Sequence, residues 1–245
     1  GGNVTIGSGN SKSDVALEVE TTETVKGNLV ITNYASANDS KKNAIEVADK
    51  LQATGDITLT NHETDVVLND AAEIISQNGN VQLASAENIS IQGAIEAAKN
   101  VDVNAERAIS IAGNMDAMKA ILDAGSSIEF TGILNASNEA QLLAEENIQI
   151  NAGAINAATL SATAVQGTIQ SAGNITATNA TLTAGQNITQ TGGRISATTA
   201  NMNAGGAISQ TAGSITVTTA NLTAGTSISQ SATGSITATN TVAKA

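Results

Sequence analysis

The chain has 245 residues, a formal net charge of −12, no Cys, Pro or Trp, and a single Tyr (Tyr34) and a single Phe (Phe130). Without Cys there is no disulfide scaffold and no thiolate metal site, and an acidic surface argues against nucleic acid, whose phosphates need a basic footprint. An ordinary globular core draws much of its buried area from aromatics; here Ile, Leu, Val and Ala must supply it, which suits a thin, repetitive column.

The chain opens Gly-Gly-Asn, with neither a Met nor an apolar leader, and reads as a mature form or a fragment. No apolar run approaches the roughly 18 residues of a membrane helix. All 22 carboxylates and 8 of the 10 Lys and Arg fall in residues 1–146, leaving −14 there and +2 in residues 147–245. The later part meets water through Thr, Ser, Asn and Gln instead.

Residues 1–86 carry four Gly-started strand patterns: Gly2-Asn-Val-Thr-Ile6, Gly27-Asn-Leu-Val-Ile31, Gly55-Asp-Ile-Thr-Leu59 and Gly79-Asn-Val-Gln-Leu83. Their spacings of 25, 28 and 24 residues are longer than one regular coil. The excess is assigned to polar loops around residues 8–14 and 36–43, the second with Lys41 and Lys42. This region is read as irregular coils with longer loops, and residues 87–245 as regular coils of the same solenoid.

From residue 87 the chain divides into eight segments of 19 to 21 residues, nearly all ending in Ala, such as GQNITQTGGRISATTANMNA at 185–204 and GGAISQTAGSITVTTANLTA at 205–224. A fixed period of this kind marks a solenoid. Each segment holds three apolar groups. The first runs Ile89/Ile91, Ile109/Ile111, Ile128/Phe130, Ile148/Ile150, Ile188, Ile208, Ile228. The second runs Ile95, Met115, Ile133, Ile155, Ile175, Ile195, Ile215, Ile236. The third runs Val101/Val103, Leu122, Leu142, Leu160, Leu182, Met202, Leu222. Alternation within each group is the strand period, and three strands of three to five residues with turns consume about 20 residues. Gly recurs two residues before the second group, at 93, 113, 153, 173, 193, 213 and 234, as a corner needing positive φ or a tight bend would require. Gly132, directly before Ile133, reads as a one-residue deletion, and Thr233 as an insertion.

Stretches such as AIEAAK and DAMKAILDA have helix-friendly composition, but no 3.6-residue stripe runs past about ten residues, and Thr, Ile and Val fill the rest. The expected fold is therefore an all-β, right-handed parallel β-helix of roughly 11 three-strand coils, near 50 Å long at about 4.8 Å per coil.

The units of residues 145–245, with Asn-Ile-Thr, Gly-x-Ile-x-Ala and Ala-x-Leu-x-Ala-Gly, resemble the repeats of filamentous haemagglutinin-like exoproteins of bacterial two-partner secretion. The resemblance covers residues 87–245 well and the earlier part weakly. It implies a rod on the outer surface of a Gram-negative-type cell, serving adhesion or biofilm. That family's amino-terminal secretion domain carries an Asn-Pro-Asn motif, and this chain has no Pro, so the resemblance implies a shaft segment or another fibre built from the same coil.

Two side-chain columns are candidate sites. Gln170, Gln190, Gln210 and Gln230 recur every twenty residues, so a stacked amide ladder is expected. Thr176/Thr178, Ser196/Thr198, Thr216/Thr218 and Thr237/Thr239 form two outward columns, the kind of array ice-binding solenoids use, although β-propensity alone also supplies Thr on a strand. Groups for catalysis are sparse. His62 stands alone, without partners for a metal or base role, and Asp65/Asp70 and Glu145/Glu146 are candidates for glycoside hydrolysis only in the sense that nothing excludes them. No GGxGxD calcium repeat is present. The expectation is a non-enzymatic structural or adhesive shaft, extracellular or on a bacterial surface, with no cofactor, no metal, no nucleic acid and no membrane insertion. The alternative is a ligand-binding solenoid for ice or polysaccharide. Neither end carries a cap of the kind solenoids need, so each is expected to pair with further coils or with another copy end to end, beside a host or matrix surface.

Overall fold

In the computed structural model, which describes residues 2–7, 17–19, 24–34 and 45–245, the chain is a parallel β-solenoid of about ten turns, with no helix among the described residues. The loops assigned to residues 8–14 and 36–43 lie outside the described residues. The chain divides into two compact units, residues 1–124 and 125–245.

In the first unit each turn visits three walls. A short wall stacks Ile45–Val47, Val66–Leu68, Ile89–Ile91 and Ile109–Ile111. A second wall stacks Lys50–Ala53, Glu73–Ser76 and Ala94–Ala97. The third stacks Val4–Gly7, Leu29–Asn33, Ile57–Asn61, Val81–Ser85 and Asn100–Ala105. The four Gly-started patterns of the early sequence are thus successive rungs of one wall. The helix-friendly stretches are strands, Ala94–Ala97 and Asn114–Ala124, because their apolar residues fall in register with neighbouring rungs, Ile95 beside Met115 and Val103 beside Leu122.

In the second unit the three-strand reading simplifies. The second and third apolar groups lie on one bent strand of 11 or 12 residues, as in Asn174–Ala184, Arg194–Ala204 and Gly213–Ala224. These alternate with three-residue strands such as Ile188–Gln190 and Ile208–Gln210. The inward/outward alternation breaks once, at the bend. There Ala177 pairs with Ala197 and Asn179 with Thr199, while residue 178 is skipped.

The core is a set of inward columns. Leu134, Ile155, Ile175, Ile195, Ile215 and Ile236 are consecutive rungs of one of them. Leu134, not Ile133, occupies this column: Leu134 is buried, Ile133 is 41% exposed, and it pairs with Ala154. Gly132 therefore stacks on Gly153 with the same Gly-x-apolar spacing as other turns; the corner before it is one residue short, since Phe130 to Ile133 faces Ile150 to Ala154, and a bulge between Ala136 and Glu139 returns the residue. At these corners Gly153, Gly193 and Gly213 have φ of 70°, 59° and 82°, and a methyl group at Gly213 would collide with the Gly192 carbonyl. An L side chain is disfavoured there on both counts.

A second correction concerns Leu160. It pairs with Ala140 and Ala180, while Ala162 stands between Leu142 and Leu182. Large and small residues exchange places in that rung, so total inward volume is kept. The Ala that ends each segment is a buried column of its own, Ala144, Ala164, Ala184, Ala204 and Ala224. A small side chain there lets the chain turn without breaking the core.

Candidate functional site

The amide column of the second unit is built by the short wall. Gln190, Gln210 and Gln230 are successive partners, but Gln170 pairs with Thr189, and Ser171 takes the rung beside Gln190. The chain needs four steps from Val165 to Ile169 but three from Gly185 to Ile188, and the walls return to register because Gln190 to Ile195 is one step longer than Ser171 to Ile175. A one-residue slip reverses a strand's faces. Gln170 consequently points outward and does not belong to the ladder.

Going along the chain, the inward position of this wall is Phe130, Ile150, Ser171, Gln190, Gln210 and Gln230. Gln190 and Gln210 are each only 3% exposed. Gln210 Nε2 donates to Gln190 Oε1 at 2.9 Å and to the Ser235 carbonyl at 3.0 Å. Gln190 Nε2 donates to the carbonyls of Gly192 and Ser214, both at 3.2 Å. Gln230 is exposed, and its Nε2 donates to the Gly234 carbonyl at 2.8 Å. The rungs are thus tied to the corner backbone as firmly as to one another.

Of the Thr array, one column is realised. Thr176, Ser196, Thr216 and Thr237 are in register, continued in the other direction by Asn156 and Asn135. Thr178, Thr198, Thr218 and Thr239 are exposed but fall at the bend, where the pairing skips a residue. The two columns therefore do not continue one flat, fully paired strand surface.

Other ladders went unread in the sequence. Asn156 Nδ2 donates to Asn135 Oδ1 at 2.9 Å, and Asn221 Nδ2 to Asn201 Oδ1 at 2.8 Å. In the first unit a corner ladder runs Asn3, Asn28, Asp56, Asn80, Asn100. The Asn28 N–H donates to Asn3 Oδ1, that of Asp56 to Asn28 Oδ1, that of Asn80 to Asp56 Oδ1 and that of Asn100 to Asn80 Oδ1, at 2.8 to 3.3 Å. Its signal was an Asn or Asp opening each strand of that wall.

Of the carboxylates singled out in the sequence, Asp65 is taken up in this way. Asp65 Oδ1 accepts both the backbone N–H and Nδ2 of Asn88, at 2.9 and 3.0 Å. His62 stacks on Tyr34 with ring centroids 4.4 Å apart and planes 9° from parallel. Among the described residues no three His, Cys, Asp or Glu side chains gather to hold a metal ion, and no helix is long and apolar enough to cross a membrane. One carboxylate is perturbed: burial, and then the Asp123 charge, raise the pKa of Asp102 above its ordinary 3.8, against the opposing pull of Lys119.

No protein-family model, curated protein or solved structure matches the chain.

Proposed function

We propose that the chain is a structural and adhesive shaft of a secreted surface protein, whose successive coils present an uncharged hydroxyl and amide face to a matrix. The observation that carries the reading is the outward column Asn135, Asn156, Thr176, Ser196, Thr216 and Thr237, in register over six rungs. Residues 147–245 contain no acid and only Arg194 and Lys244 as bases. Hydroxyls and amides repeated at about 4.8 Å offer many weak hydrogen bonds to a polymer surface, and multivalency turns weak contacts into firm attachment. In this reading the stack is continued by further coils or by another copy, the protein works outside the cell, and no chemistry is performed.

The test is retention under flow. Beads carrying the 245-residue chain should hold to polysaccharide-coated glass several-fold better than albumin-coated beads. The double substitution Ser196→Glu, Thr216→Glu should remove most of that excess without altering the β-sheet circular dichroism. Retention no better than albumin, or retention indifferent to the two charges, would remove the adhesive part of the reading.

A further inference from the structure

Within residues 125–245 the solenoid interior is not filled throughout. A cavity of about 220 Å³ runs from Ser171 past Gln190 and Gln210, against Leu182, Met202 and Ile215. Its origin is visible in the inward column of the short wall. Phe130 and Ile150 fill their rungs, but Ser171, the partner of Ile150 in the next rung, has a side chain two heavy atoms smaller. In the next two rungs the amides of Gln190 and Gln210 are drawn to the corner carbonyls of Gly192, Ser214 and Ser235. Space is left between these amides and the aliphatic wall opposite.

Two polar atoms at this cavity have no hydrogen-bond partner: Ser171 Oγ and Gln210 Oε1, in side chains 2% and 3% exposed. Buried acceptors are normally satisfied, and leaving one unpaired is costly. No charged side chain lines the cavity, so an ion would lose its hydration without compensation. Apolar cavities of about 150 Å³ accept a benzene-sized guest, so the room is sufficient for a chain of several carbons.

We propose that this cavity binds a slender, uncharged amphiphile: an aliphatic chain laid along the Leu182, Met202 and Ile215 side, with a hydroxyl group donating to Gln210 Oε1. This is a function separate from adhesion and does not rest on it. The competing occupant is water alone, which two unpaired acceptors could hold but which most of the wall could not hydrogen-bond.

The chain offers a direct probe, since its three methionines are Met115, Met118 and Met202 and only Met202 lines the cavity. The full chain, labelled with ¹³C at the Met methyl groups, is titrated with 1-octanol and, separately, with heptyl methyl ether, which has the same chain length but no donor. Saturable movement of the Met202 signal alone is expected, with 1-octanol binding about five- to tenfold tighter than the ether, the margin of one net hydrogen bond. Gln210→Met should erase that preference. Ser171→Ile restores the residue of the adjoining rung, fills the space, and should abolish the Met202 response while the protein stays folded. No Met202 response up to the solubility limit of octanol, equal movement of all three methyl signals, or equal binding of the ether would overturn the proposal.

Discussion

Asp102 stands on the outward side of the third wall, between Val101 and Val103, which are fully buried. Its raised pKa means that the folded chain holds the proton more tightly than the unfolded chain does. Stability contributed by protonated Asp102 is therefore fully present below pH 3.8 and is lost as pH rises through the elevated folded value. Above that, its charge is a standing penalty set by desolvation and by Asp123. Asp102→Asn should make the protein more stable at neutral pH and flatten the decline above pH 3.8, as read from denaturant midpoints across pH 3 to 7. A variant less stable than the parent at pH 7 would show that Lys119 outweighs burial.

Elements are held by how neighbouring rungs share volume. Leu160→Ala removes the one large side chain from the column Ala140, Leu160, Ala180 and should cost about 2 to 5 kcal/mol, as core truncations do. Adding Ala162→Leu gives this rung the arrangement of the next, Ala180 and Leu182, and should recover most of the loss. The pair is in contact range, so urea denaturation of both singles and the double should show strong non-additivity; additive losses would contradict the shared column. The period, the walls and most inward positions were legible from the sequence, because apolar alternation and the corner Gly repeat with the coil. What escaped were slips that cancel within one turn. Gln170 lies twenty residues before Gln190, yet a residue gained before Ile169 and returned after Gln190 turns it outward. Ile133 adjoins Gly132 but yields the core to Leu134, since the Gly-x-apolar corner geometry outranks raw hydrophobicity. The merging of two strand groups into one bent strand was not legible either, because the bend at Thr178 and Thr198 carries no Gly or Pro. The cavity was hidden for another reason: it depends on where the amides of Gln190 and Gln210 turn, which spacing does not state.

At the scale of the whole molecule, the coil is the interchangeable unit of residues 125–245, each adding a rung to the same walls. In repeat architectures stability is approximately a sum over units and their neighbour interfaces. Ala184 and Ala204 are adjacent rungs of one column, so deleting residues 185–204 joins Ala184 to Gly205 in the register that Ala204 had. The most direct measurement is cooperative thermal unfolding, followed by circular dichroism, of that deletion beside one of half the length, residues 185–194. The account predicts that the twenty-residue deletion keeps the β-sheet spectrum and a cooperative transition with a modestly lowered midpoint, while the ten-residue deletion, which puts walls and corners out of phase, loses the transition. A twenty-residue deletion that unfolds as badly as the ten-residue one would contradict it.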